Sequence, residues 1–484
     1  MNAAWNAVIG LEVHCQLATA SKLFCACRNA FGEPPNTLVC PLCTGQPGAL
    51  PVLNREALEL GLRAALALGC EVAARSKFDR KHYFYCDLPK GYQISQYDQP
   101  LCSGGGLTLA TGKRVRLKRI HLEEDAGKAI HDRGQVTLVD LNRAGVPLIE
   151  CVSEPDISTP AEAHEYLSAL KEILQFAGVS ECDMEKGSLR CDVNVSVHRA
   201  GTPLGTKVEL KNLNSFAHVV AALEYEIRRQ IEAYESGEPS RAPVQETRLF
   251  DVQRGETRTM RAKEDAHDYR YFPDPDLPPF HVTREHLERA RAHLPELPAA
   301  RRKRYTDTLG LCEYDAGVMT SSRALADYFE ATLRFSSSAK DVANWLGNEV
   351  LALFKDPSSG VRAVDELTFK PFDLAQLIEL ADSGKTNRAG ARTILRAMCS
   401  TPKAPRELLR DLGLEQIEDT AQLERWCREV LAGSERIVAE VRGGNEKALG
   451  ALIGPVMKLS GGKAKPQAVR DLLGRLIAER GSAG

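Results

Sequence analysis

Three stretches of the sequence set carboxylates and an imidazole at alternate positions. They are Glu12 and His14 in Ile9-Gly10-Leu11-Glu12-Val13-His14, the acids Glu123 and Glu124 in Ile120-His121-Leu122-Glu123-Glu124-Asp125-Ala126-Gly127-Lys128, and Arg190, Asp192, Asn194 and Ser196 in Arg190-Cys191-Asp192-Val193-Asn194-Val195-Ser196. On a β-strand, residues two apart share a face. Leu11, Val13, Val193 and Val195 therefore fall on a packing side and the polar residues on the other. Enclosed acids are costly unless cations fill the face. Hard oxygen ligands with one imidazole suit Mg²⁺ carrying nucleotide phosphates, with nearby Arg and Lys completing the clamp. A solvated polar face is the alternative for any one of these residues, and repetition in three segments weighs against it. His121, His131, His164, His198 and His218 have no comparable setting and read as surface or structural.

A second constellation is Cys25-Ala26-Cys27 followed, after twelve residues, by Cys40-Pro41-Leu42-Cys43. Two close pairs at this spacing can wrap four thiolates around one zinc, and with four protein ligands no coordination position stays open, so the zinc is structural. Four unligated thiols are the competing reading. The turn-rich linker, Phe31-Gly32-Glu33-Pro34-Pro35-Asn36-Thr37, has no core of its own and would need the metal to hold it. The other ten of the fourteen cysteines read as small buried apolar residues. Aromatic residues interleave with Arg and Lys in segments 78–93 and 245–271, a pattern that suits stacking on an RNA end or nucleotide and also suits a subunit interface. Several chemistries are excluded. Gly384-Lys385-Thr386 has Glu379 where a P-loop needs its first glycine, and neither a GxSxG nor an HExxH motif occurs.

These residues need strands to hold them, and the sequence supplies them. Val8–Leu17, Val115–Leu122, Val136–Asn142, Arg190–Val197 and Thr206–Leu213 show partial period-two alternation with few helices between, which predicts an antiparallel α+β domain. Thr159-Pro160-Ala161-Glu162 opens a helix with a capping-box pattern that Gly178 can end, and Asn54 can cap a second helix from about Glu56 to Leu68. After Pro275–Pro279 the composition turns to Ala, Leu, Glu, Arg and Lys with helical periodicity, as in Asp341–Phe354. From Arg442 to Gly484 there are eight Lys or Arg against three Asp or Glu, and Lys458, Lys463 and Lys465 flank a Gly461-Gly462 turn suited to phosphate contacts. The 484 residues are 26% charged and 43% hydrophobic with a formal charge of −2, ordinary for a folded chain and too balanced for whole-surface binding of nucleic acid, so DNA is not expected as a partner. No apolar stretch approaches the roughly 20 residues of a membrane span, and Glu12 interrupts any signal-like start, which predicts a cytoplasmic protein.

Taken together, these segments resemble the GatB family, one of the subunits of the aspartyl/glutamyl-tRNA(Asn/Gln) amidotransferases. The matching runs are Ile9–His14, the Cys25–Cys43 pattern continuing to Asn54, Asp87–Asp98, His121–Lys128, Asn142–Glu150, Gly187–Ser196, Lys211–Phe216 and Lys263–Pro273, with Glu446–Gly450 and the Gly461–Lys465 turn near the end. The resemblance implies a glutamine-synthetase-like antiparallel cradle over residues 1–294, a helical domain over 295–410 and a small, basic, tRNA-binding tail domain over 411–484. It implies a ligase that phosphorylates the side-chain carboxylate of mischarged Glu-tRNA(Gln) or Asp-tRNA(Asn) with ATP and Mg²⁺. Ammonia, released from glutamine by a separate amidase subunit that a small third subunit accompanies, then displaces the phosphate. The family's metal positions map onto Glu12, His14 and one acid of the Glu123-Glu124 pair, with Glu124 as the working choice. Glu123 and Ser196 would lie with them around the nucleotide, while Lys81, Arg190, Asp192 and Asn194 would act on the transferred group. Zinc on Cys25, Cys27, Cys40 and Cys43 would be structural, and Lys458, Lys463 and Lys465 would meet tRNA. Two other classes stay open: a tRNA-binding adaptor whose catalysis resides in a partner, and a ligase acting on a free amino acid.

Overall fold

The structure is a computed structural model that describes residues 5–479 apart from 132–133, 239, 241, 263–268, 417–419, 444 and 462. Met1–Pro298 and Ala299–Gly484 form two compact units.

The first unit is built on one long strand. In β1 (Trp5–Gln16), Ile9, Leu11, Val13 and Cys15 are buried and alternate without a break with less buried residues, as period two requires. The segments that follow are β2 (Asp79–His82), β3 (Tyr92–Ser95), β4 (Arg114–Glu124), β5 (Pro147–Ser153), β6 (Leu189–Arg199), β7 (Val208–Lys211), β8 (Glu246–Asp251) and β9 (Glu256–Ala262). The main sheet runs β9-β8-β7-β6-β1-β5-β4 and continues through Cys102–Ser103 to Glu71–Val72, so β1 is central. Every pair is antiparallel except β7–β8, which the sequence pattern did not anticipate. The helix α3 (Phe216–Glu235) joins those two strands as a crossover, and a crossover returns a strand parallel. The predicted strand 136–142 shrinks to Leu138–Asp140, paired with Lys128–Ile130 outside the main sheet. Strands β2 and β3 form a separate small sheet with Phe272–Pro273.

The apolar face is closed by α1 (Arg55–Ala67), α2 (Pro160–Phe176) and α3. Asn54 caps α1 by accepting from the Glu56 and Ala57 amides, and Thr159 caps α2 by accepting from the Glu162 amide. The Glu162 carboxylate reaches back to the Thr159 amide and also accepts from the Ser158 amide at 2.8 Å and Lys113 Nζ at 2.7 Å, pinning the helix start to the strand edge. Gly178, with φ +64°, ends α2 as expected.

The second unit is helical and holds two separate apolar cores, one around Tyr305, Phe329, Leu346, Leu377 and Ile394, the other around Leu423, Cys427, Leu452, Val456 and Leu473. The helix expected over 341–354 is interrupted: a π turn, Leu346–Val350, separates Ala339–Trp345 from Leu351–Lys355. That widened turn carries Glu349, whose buried carboxylate accepts from both Arg388 and Arg392. Among the described residues, no helix is long and apolar enough to cross a membrane.

Candidate active site

The register of β1 against its neighbours assembles the site. His14 lies opposite Glu150 on β5 and opposite Arg190 on β6, and Glu150 in turn lies opposite His121 on β4. Cross-strand partners share a face, so His121, Glu150, His14 and Arg190 form one row across four strands. The next row carries Glu12 opposite Asp192, and beyond it Asn194 faces Glu209 on β7. Ser196 stands further along the same face of β6 and is buried.

Within the first row, His14 Nε2 and His121 Nε2 approach the same oxygen, Glu150 Oε2, at 3.3 and 3.4 Å. Glu123, two residues on from His121, turns onto this group, and ligand atoms of His14, Glu123 and Glu150 all lie within 4.8 Å of one another. Glu123 accepts from Gln93 Nε2 at 2.6 Å through Oε1, while its Oε2 is buried with no hydrogen-bond partner among the described residues. That oxygen makes only long ion pairs, to Lys81 at 3.7 Å and His121 at 3.8 Å, and with the neighbouring imidazole and second carboxylate it fits the donor set of a divalent-cation site. Glu12 is adjacent: it accepts from Asn194 Nδ2 at 2.9 Å, and burial, reinforced by Glu150, Asp192 and Glu209, raises its pKa.

Cations fill the remainder of the face. Lys81 on β2 is 3.7 Å from Glu123 Oε2 and lies over the Tyr269 ring at 5.1 Å. Arg190 donates to Asp125 Oδ2 at 2.6 Å, and Gln16 Nε2 donates to the same atom at 2.8 Å. Burial opposes ionisation of Asp125, but Arg190 and Arg143 outweigh it and hold the carboxyl below its usual range. Asp192 is paired with Lys211. Tyr83 and Tyr271 lie near Lys81, and Tyr97 stacks on Tyr271 at 4.2 Å between centroids. Part of the predicted aromatic and basic segment, residues 263–268, lies outside the described residues.

Two expectations change. Glu124 does not join His14: it pairs with Lys90 and accepts the Ile94 amide at 2.9 Å, which ties β3 to the end of β4. Its neighbour Glu123 points to the row because adjacent strand residues face opposite ways. His121, read as surface or structural, is buried in the row, with 2% of its surface exposed. Burial favours the neutral ring, but Glu150 and Glu123 overcome it and raise the His121 pKa to about 9. Sequence reasoning missed Glu150, His121 and Asp125. The His121-Leu122-Glu123 triplet mirrors Glu12-Val13-His14 and was the available signal.

The sign of the His121 effect gives a stability prediction. A pKa raised above the unfolded value near 6.5 contributes stability that is complete below that pH and is lost as the pH climbs through about 9. Without added divalent ions, the melting temperature of the first unit should fall by several degrees between pH 6.5 and pH 9. His121→Gln should flatten that fall, and identical pH profiles for the two proteins would refute the assignment.

The four cysteines converge as expected. Cys25 and Cys40 Sγ each stand 3.7 Å from Cys43 Sγ, and Cys27 Sγ stands 3.9 Å from it. A tetrahedron with zinc–sulfur bonds of about 2.3 Å has edges of about 3.8 Å, so the thiols fit that ion. In the second unit, Lys458 is exposed on the last turn of Gly450–Leu459. Lys463 and Lys465 approach turns after two helices: a Cβ on Gly413 would meet Lys463 Nζ at 3.6 Å, and one on Gly384 would meet Lys465 Nζ at 3.2 Å. Gly462, between them, lies outside the described residues.

Residues 7–288 match the family described as the GatB/GatE catalytic domain, and residues 327–477 match the GatB domain. The chain is 52% identical over 473 residues to the GatB subunit of the aspartyl/glutamyl-tRNA(Asn/Gln) amidotransferase of Caldanaerobacter subterraneus subsp. tengcongensis, covering 97% of this chain and 98% of the relative. It is 51% identical over 477 residues to the same subunit of Geotalea daltonii, with coverage of 97% and 98%. The corresponding protein of Carboxydothermus hydrogenoformans is 50% identical over 483 residues, with coverage of 98% and 99%.

Proposed function

The chain belongs to the GatB family of aspartyl/glutamyl-tRNA(Asn/Gln) amidotransferase subunits, and from that premise we propose that its sheet face phosphorylates the side-chain carboxylate of Glu-tRNA(Gln), Asp-tRNA(Asn) or both. The enzyme is an ATP-dependent carbon–nitrogen ligase, and the chain is one subunit of it. The observation that carries the site is the His121–Glu150–His14–Arg190 row with the Glu123 carboxylate converging on His14 and Glu150 beside it. The proposed partners are an amidase subunit that releases ammonia from glutamine and a small third subunit, with mischarged tRNA as substrate.

The nucleophile is the substrate's own carboxylate, so the protein has to position it and neutralise charge rather than supply a nucleophile. His14, Glu123 and Glu150, with Glu12 beside them, would hold Mg²⁺. A magnesium ion there supplies charge neutralisation for the transferred phosphoryl group. Arg190, held by Asp125, and Lys81, held by Glu123, lie at that face and would take up the negative charge that develops on the equatorial oxygens. Asn194 fixes Glu12, and Lys211 fixes Asp192, so both acids keep their orientation as substrate arrives. Tyr83, Tyr97 and Tyr271 offer flat surfaces for an adenine or the tRNA 3′ end. The acyl phosphate hydrolyses readily, so enclosure of the face, with Glu123, Asp125 and His121 each no more than 4% exposed, protects it from water. Zinc on Cys25, Cys27, Cys40 and Cys43 would have a structural role.

Reconstituted with its partner subunits, the chain should convert both Glu-tRNA(Gln) and Asp-tRNA(Asn) or only one, in an ATP-dependent reaction that free glutamate does not replace. Turnover of free glutamate at a comparable rate would instead support a small-molecule ligase. For the tail, the Lys458→Ala/Lys463→Ala/Lys465→Ala protein should bind tRNA more weakly, with the salt dependence flattened by up to about one unit of slope per lost phosphate contact. Saturating tRNA should restore most of its turnover. Unchanged affinity and slope would move these lysines to a purely structural role at the helix ends.

A further inference from the structure

Lys22 has 0% of its surface exposed, yet among the described residues no carboxylate stands within ion-pair distance of its amine. A buried ammonium is tolerated only where an opposite charge compensates it. Its three partners are the Leu38 carbonyl at 2.7 Å, the Leu141 carbonyl at 3.4 Å and Cys43 Sγ at 3.4 Å. Two of these are neutral, so the counter-charge has to come through the sulfur. Four thiolates around Zn²⁺ leave a net charge of about −2, carried largely on sulfur. We infer that Lys22 is the built-in counter-charge of the four-cysteine centre, donating to the Cys43 thiolate and tying that centre to the loop behind the catalytic face.

The second half of the inference follows from where the other donors go. Leu38 lies in the linker between the cysteine pairs, and Leu141 opens the loop 141–146. The Lys22 amide also donates to the Cys27 carbonyl at 2.9 Å, and the Leu23 amide donates to the Gly145 carbonyl at 2.9 Å. Within that loop Arg143 donates to the Ala126 and Gly127 carbonyls, and the Gly145 amide donates to the Asp125 carbonyl. Asp125 holds Arg190. One ammonium therefore joins the thiolates to the backbone that sets Arg190 on the sheet face, which makes Lys22 a positioning residue rather than a catalytic one.

The inference rests on the zinc reading above, and the test separates the two. Full-length wild type and Lys22→Met are purified, zinc is quantified, and its transfer to a chromogenic chelator is timed. Wild type should hold one zinc per chain, and Lys22→Met should release it about 10- to 100-fold faster, the usual cost of losing a hydrogen bond to a metal ligand. Iodoacetamide should alkylate Cys43 faster in the variant. In the Co²⁺-substituted proteins, the sulfur-to-cobalt charge-transfer band should move to lower energy when the N–H···S bond is lost. Replacing Cys40 with His lowers the centre's negative charge by one, so Lys22→Met should cost less in a Cys40→His background, and should be rescued there if the single variant does not fold. Wild type without zinc overturns the zinc reading. Wild type with zinc but no change in release, alkylation or charge-transfer band in Lys22→Met, or no relief by Cys40→His, overturns the role of Lys22.

Discussion

In the reconstituted enzyme, His14→Ala, Glu123→Gln and Glu150→Gln should each lower acyl-phosphate formation by about 1,000-fold or more while leaving tRNA affinity nearly unchanged. The three side chains converge to within 4.8 Å as a cation-binding group, so their loss removes stabilisation of the transferred phosphoryl group and little ground-state binding. Losing one ligand of a phosphate-bridging metal costs several kcal/mol of transition-state stabilisation, and about 1.4 kcal/mol is a tenfold loss in rate. Glu12→Gln should behave the same way if Glu12 completes the coordination sphere. Glu124→Gln is the internal control. It keeps an oxygen that can accept the Ile94 amide and lies outside the row, so it should retain activity within about tenfold of wild type. Trapping with hydroxylamine measures the phosphorylation step apart from ammonia delivery, because an acyl phosphate yields a hydroxamate. If the row variants stay within tenfold of wild type while Glu124→Gln is dead, the metal belongs on Glu124 and the register argument fails.

How far such a site can be read from sequence depends on whether its signal is local. Glu12, His14, Arg190, Asp192 and Asn194 were legible because alternation along a single strand fixes which side chains share a face, and β1 and β6 keep that alternation with apolar partners at every second position. Glu150 carries no such signal. It is one acid in the apolar run Pro147-Leu148-Ile149-Glu150-Cys151, and only the pairing of β5 between β1 and β4 reveals that it faces both His14 and His121. Strand order is set by tertiary packing, which a two-residue period does not encode. Glu123 and Glu124 could not be told apart for a related reason: adjacent residues on a strand face opposite ways, and which way β4 turns depends on its neighbours.

The same distinction separates the helices from the sheet. Caps are local chemistry, so Asn54 and Thr159 could be placed before any packing was known, and α1 and α2 begin where those side chains accept their amides. The parallel β7–β8 pair depends on α3 acting as a crossover, and the π turn after Trp345 places Glu349 against Arg388 and Arg392, more than thirty residues on in the chain. Neither is visible in the periodicity of its own segment. The four-cysteine cluster is the opposite case, since metal-ligand spacing is itself local and the thiols converge as the spacing requires.

That cluster sets the second large effect. Segment 25–45 has almost no buried apolar surface: Cys43 is its one buried hydrophobic residue among those described, while Phe31 is 73% exposed. What it does have are polar ties to the neighbouring loop. The Asn36 side chain donates to the Val139 carbonyl and accepts the Leu141 amide, and Asn142 links the Leu38 amide to the Pro34 carbonyl. Hydrogen bonds of this kind contribute about 1 kcal/mol each and cannot offset the entropy of ordering so many residues. Coordination of a structural zinc, at roughly 10 kcal/mol or more, can. Cys27→Ser or Cys40→Ser should therefore abolish zinc binding and release the segment locally. Hydrogen exchange should show amides in 25–45 and 139–142 losing about 100-fold or more in protection, while β1 and β6, paired along their full length in the sheet core, keep theirs. Because the released loop carries Arg143, which braces Asp125 and through it Arg190, turnover should fall along with protection even though the four clustered cysteines lie outside the strands of the sheet. Full protection of 25–45 in a zinc-free variant would mean that the linker is held by its polar ties alone, and that outcome would sink the structural role of the metal.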